Sequence, residues 1–131
     1  MLYFKFNSKS VCLEHHVRKK SLWRTFVNKF CKKLLANPDF DDKLRCVALW
    51  YLEYSEEYDG SCREIGLDSN KNVIVKMPDE RNYGYWLDTN CTIEDFEKES
   101  GFQIITEQEF NNLWCSVDYD KETEKFKPAR Q

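Results

Sequence analysis

Apolar residues recur at Trp23, Phe26, Val27, Phe30, Cys31, Leu34 and Leu35, the i, i+3, i+4, i+7 spacing of one helical face. Ser21 supplies an N-cap, and Asn37-Pro38 supplies a stop because proline disfavours helical geometry in the residue before it. A second helix is predicted from about Asp41 to Glu57, with Leu44, Val47, Ala48 and Tyr51 as its core stripe and Leu49, Trp50 and Leu52 widening it. The β-prone Trp50-Tyr51-Leu52 leaves a strand open from Ala48 onward. After Asp59-Gly60 the period becomes two. Ile65 and Leu67 alternate with polar residues, Asp68 to Asn72 make a turn, and Val73, Val75 and Met77 resume the alternation, which is the pattern of a β-hairpin. Tyr83, Tyr85 and Leu87 alternate as a third strand.

Thr92 followed by Asp95 opens a short helix through about Glu99, closed by Ser100-Gly101, and Phe102 to Ile105 form a short strand. Thr106-Glu107-Gln108-Glu109 is a capping box that starts a final helix to about Trp114. These elements predict one α+β domain over residues 1–117, with N-terminal helices packed on an antiparallel β-sheet and short C-terminal helices. Residues 118–131 are mostly charged and read as a flexible C-terminal tail.

A length of 131 residues with nine Phe, seven Tyr and four Trp suffices for one filled core. No apolar run reaches bilayer length, and the start Met1-Leu2-Tyr3-Phe4-Lys5-Phe6 lacks the long apolar stretch of a secretory signal. A cytoplasmic location is therefore expected. Cys12, Cys31, Cys46, Cys62, Cys91 and Cys115 are scattered, with no pair closer than fifteen residues. In a reducing compartment they read as buried free thiols acting as small hydrophobes.

Charge is divided unevenly along the chain. Residues 1–40 carry nine Lys/Arg against two acids, whereas the rest carry eleven bases against twenty-one acids, so the net charge of −3 combines a basic start with an acidic remainder. Between Asp41 and Glu99 fifteen acids face seven bases. Aromatics lie among those acids: Tyr54, Tyr58, Tyr83, Tyr85 and Trp86 neighbour Glu53, Glu56, Glu57, Asp59 and Asp88. Such a surface steers a basic partner and gives it large, low-entropy contacts.

Little else in the chain resembles catalytic equipment. His15-His16 are adjacent, hence about 100° apart on a helix, and cannot share a ligand there. Cys-x-x-Cys is absent and the four glycines form no phosphate-cradling motif, so neither metal nor cofactor is expected. Two other readings stay open. Arg24, Lys29, Lys32 and Lys33 give the first predicted helix a basic outer face that could attract nucleic acid, although a solvated face is the plainer reading and direct nucleic-acid binding is not expected. A nucleophilic Cys paired with His15 or His16, or two carboxylates, brought together only in space would make a small enzyme.

Residues Cys62 to Asp68, Val73 to Pro78 and Asn82-Tyr83-Gly84-Tyr85-Trp86-Leu87-Asp88, followed by the strand and helix of Phe102 to Trp114, resemble small immunity proteins of bacterial polymorphic toxin systems, including contact-dependent growth inhibition. The resemblance covers residues 45–114. It implies a non-enzymatic antitoxin that binds the C-terminal toxin domain of its own strain's effector, often a nuclease. A nuclease presents a basic groove to its polyanionic substrate, and an acidic aromatic surface can occupy that groove. Glu53, Glu56, Glu57 and Asp59 are then the steering charges, Tyr54, Tyr58, Tyr83 and Tyr85 the anchors, and Asp79, Glu80 and Asp88 neighbouring contacts.

Overall fold

The computed structural model describes residues 1–8, 41–78 and 91–130. Its first element is a strand, β1 (Leu2–Asn7), in which Leu2, Phe4 and Phe6 alternate with Tyr3, Lys5 and Asn7. A single helical turn, α1 (Asp41–Leu44), precedes β2 (Leu49–Ser55), β3 (Gly60–Leu67) and β4 (Val73–Met77). Then come α2 (Ile93–Glu97), β5 (Gln103–Ile104) and α3 (Glu107–Cys115). A closing hairpin pairs β6 (Val117–Asp120) with β7 (Lys125–Pro128).

Strands β4-β3-β2-β1-β5 form one five-stranded sheet, antiparallel throughout the described residues. Its register sorts side chains into two faces. Phe4, Leu52, Glu64 and Met77 make one cross-strand row, and Phe6, Trp50, Gly66 and Val75 make the next. On this face Phe96 of α2 closes the core, its ring centroid 5.2 Å from Phe4 and 6.1 Å from Tyr54. The opposite face carries Tyr3, Tyr51, Ile65 and Leu67, covered by Phe110, Leu113 and Trp114 of α3. Burying Phe4, Phe96 and Phe110 completely removes three large rings from water, worth roughly 2 kcal/mol each.

This architecture corrects the expected fold. The described chain is mainly antiparallel sheet with short helices, not N-terminal helices laid on a sheet. The predicted helix over 41–57 survives only as Asp41–Leu44, and its later part, Leu49–Ser55, is the central strand β2. The physical reason lies in the two covered faces. Trp50, Leu52 and Tyr54 enter one core while Leu49 and Tyr51 pack against the other, so β2 has no exposed side and mimics a helix packed all round. The predicted helix from Trp23 to Leu35 and the predicted strand from Tyr83 to Leu87 lie outside the described residues. Residues read as a charged tail instead build the β6–β7 hairpin, whose Tyr119 and Phe126 rings pack 5.2 Å apart.

Other elements fall where their local signals place them. The Asp68 carboxylate accepts from the Asn70 and Asn72 amides at 2.8 and 2.9 Å, closing the β3–β4 turn. The Asp95 carboxylate accepts from the Thr92 amide at 3.2 Å at the start of α2, and the Thr106 hydroxyl accepts from the Glu109 amide at 3.1 Å at the start of α3. Glu109 does not reach back to complete its box; it receives Lys5 Nζ at 2.9 Å and ties α3 to β1.

Gly66 is fixed by its neighbours, since a Cβ there would stand 2.7 Å from Val47 Cγ2 and 3.2 Å from Trp50 Cζ3. Gly66→Ala is expected to destabilise the protein by about 1–3 kcal/mol through overpacking, and by less in a Val47→Ala background. Urea denaturation of the single and double variants measures both.

Candidate functional site

The acidic residues singled out from sequence converge on the turn between β2 and β3. Pairing runs regularly from Leu49 opposite Leu67 to Glu53 opposite Arg63, then shifts by one residue, with Tyr54 opposite Ser61 and Cys62 left over as the bulged residue. Beyond Ser55 the chain turns back through Glu56, Glu57, Tyr58 and Asp59, all exposed. Asp59 takes the left-handed conformation (φ 49°), which aspartate tolerates better than most residues. The Tyr58 amide donates to Ser55 Oγ at 3.4 Å, and the Tyr58 side chain stands 79% exposed.

Glu53 and Tyr54 occupy different places from those expected of contact residues. Glu53 is buried at the root of the hairpin, where it accepts two hydrogen bonds from Arg63, one from Nε at 2.9 Å and one from Nη2. The same guanidinium donates to Asn111 Oδ1 at 2.9 Å and lies 4.9 Å from the Phe110 ring centroid and 5.0 Å from that of Trp114. Burial works against the charge on Arg63, yet Glu53 outweighs it and holds the guanidinium above its ordinary pKa. Tyr3, the cross-strand neighbour of Glu53, is also raised, by burial and then by the Glu53 charge. Glu53 is therefore part of the frame, buried and paired with Arg63 instead of exposed at the tip.

Tyr54 is 1% exposed, with its ring in the core between Phe4 and Phe96 and its hydroxyl donating to Asp59 Oδ1. Its phenol is pushed up to about 12 by burial, by the bond to Asp59 and by the Asp59 charge. The Glu94 charge acts in the same direction, and α2, on which Glu94 is exposed, packs against Tyr54 through Phe96.

Of the predicted contact residues, the fold thus gathers Glu56, Glu57, Tyr58 and Asp59 at one tip and withdraws Glu53 and Tyr54 inward. Asp79, Glu80, Tyr83, Tyr85 and Asp88 lie outside the described residues, as do His15 and His16. Sequence reasoning missed Glu94, although the Thr92-x-x-Asp95 start places it in the first, outward turn of α2. It also missed Arg63 as the partner of Glu53. Centring a hairpin on the acidic turn before Gly60 would have set them opposite one another.

The cysteines require a correction as well. Cys91 is disulfide-bonded, and Cys46 and Cys115 are exposed thiols, so among the described cysteines only Cys62 is a partly buried free thiol. Burial and the nearby Glu53 charge raise the Cys62 thiol, which suppresses the reactive thiolate. Among the described residues no group of three or more His, Cys, Asp and Glu could hold a metal ion, and no helix is long and apolar enough to cross a membrane. Comparison with protein-family models, with curated proteins and with solved structures finds no match to this chain.

Two outcomes follow from the geometry at the hairpin root. Arg63→Ala leaves Glu53 buried without its counter-ion and is expected to destabilise the protein by about 3 kcal/mol in chemical denaturation. Tyrosine in an unfolded chain ionises near ~10. The stabilisation from protonated Tyr54 is therefore complete below that pH and is lost as the pH rises through about 12. The denaturation midpoint of the wild type should fall across this alkaline window, and Tyr54→Phe should flatten the fall; parallel curves would contradict the assignment.

Proposed function

We propose that this chain is an inhibitory binding protein of the immunity-protein kind, which presents the acidic Glu56-Glu57-Tyr58 tip to a basic toxin domain and blocks it. The observation that carries the reading is Tyr58, a large aromatic 79% exposed between acids at the end of a braced hairpin. Exposed tyrosines of this kind supply contact area with few rotatable bonds, and the flanking carboxylates accelerate encounter with a positive surface. A nuclease groove is the partner chemistry that fits best, because it is positive by necessity. Glu94 extends the acidic end, and Glu53 is removed from the contact set.

Action in the cytoplasm is the finer part of this proposal. The disulfide at Cys91 stands against it, because cytosolic reductants keep thiols reduced. Mass measurement after alkylation of the protein from its native cell decides the matter through the number of blocked thiols.

Affinity capture from the native lysate with three baits tests the function: wild type, Glu56→Lys with Glu57→Lys, and Tyr58→Ala. Asp59 is kept because Tyr54 depends on it. Wild type should retain one stoichiometric basic domain at high salt and inhibit its nuclease activity. The double reversal should weaken that complex at least about thirtyfold, at roughly 1 kcal/mol or more per charge. Equal affinity of both variants with wild type would reject the tip, and recovery of only salt-sensitive RNA would reject the class of function.

A further inference from the structure

We infer that Tyr54 and Asp59 are positioning residues, a phenol–carboxylate latch that fixes the Glu56–Tyr58 tip in its outward-facing conformation before any partner arrives. The functional value of the latch rests on the reading above, while its existence does not.

The latch begins in the core. The Tyr54 ring lies 6.2 Å from Phe4 and 6.1 Å from Phe96 by centroid, and its side chain is essentially closed to solvent. A ring packed in this way holds its hydroxyl at a defined point at the end of the sheet. That hydroxyl donates to Asp59, five residues further along the chain. The turn is thus tied to β2. Asp59 meets the tie in a left-handed backbone conformation, and Ser55 adds a second tie by accepting from the Tyr58 amide.

These ties divide four neighbouring residues by role. The Asp59 carboxylate is directed inward to Tyr54, whereas Glu56, Glu57 and Tyr58 face solvent. A tip ordered in advance loses less conformational freedom on association than a loose turn of the same composition. Asp59 therefore acts through the shape of the tip, unlike the two glutamates beside it.

The test compares backbone order in the free protein by nitrogen-15 NMR relaxation for wild type, Tyr54→Phe, Asp59→Ala and Asp59→Asn. Tyr54→Phe keeps the packed ring and removes only the hydroxyl. Asp59→Asn keeps an acceptor oxygen and the tolerance for left-handed geometry, so it should restore what Asp59→Ala loses. Wild type and Asp59→Asn should show rigid amides at Glu56 to Tyr58, with order parameters near ~0.85, while Tyr54→Phe and Asp59→Ala fall below about 0.6 there with sheet amides unchanged. Tip amides as rigid in Tyr54→Phe and Asp59→Ala as in wild type would overturn the latch. Because no partner enters this measurement, a latched tip that fails to bind a toxin would reject the proposed function alone.

Discussion

A buried carboxylate must find a cation, and in this protein Glu53 finds Arg63 across the central strand pair. Much of the described structure is organised around that contact. It locks the β2–β3 register one step before the bulge, and through Asn111 and the rings of Phe110 and Trp114 it draws α3 onto the sheet. A pair this enclosed adds modest net stability when intact but is expensive to break, so it acts chiefly to exclude other registers and other helix positions. The row continues to Tyr3 on β1, which joins the first strand to the same polar seam.

Above that seam the hairpin separates acids that look equivalent in sequence. Glu53 neutralises an arginine inside the protein, and Asp59 receives a core tyrosine. Glu56 and Glu57 remain in water with Tyr58 between them and Asp59. The charge available to a partner is therefore smaller than the run of acids suggests, but it is concentrated on one ordered projection and supplemented by Glu94. For steering, concentration on an exposed projection matters more than the total count, because salt screens separated charges over about 10 Å.

Local signals were legible in the sequence where one residue type satisfies one backbone need. Asp68 closing its turn, Thr92 and Thr106 opening their helices and Gly101 taking a positive φ of 74° after α2 are of that kind. Strand β2 was legible only as an alternative to a helix from Ala48 onward, because it is covered on two faces and the polar half of the alternation that marks a surface strand is largely missing. Strand β1 does alternate, Phe4 and Phe6 against Lys5 and Asn7, and sequence reasoning missed that signal. In β6–β7 the reverse happened: Tyr119 and Phe126 are too few to register as a pattern, yet they face each other across a hairpin. At the candidate site, composition located the tip but could not separate exposed acids from the one that a distant arginine takes inside.

A bound partner's footprint on the chain shows directly whether the Glu56–Tyr58 tip is the contact surface. Hydrogen exchange of the amides, compared between the free protein and its complex with the captured basic domain, reads that footprint. Slowed exchange centred on Glu56 to Asp59 and the start of α2, with the Glu53–Arg63 root already protected in the free protein, is the predicted result. A footprint elsewhere on the molecule, with the tip exchanging as it does in the free protein, would contradict it.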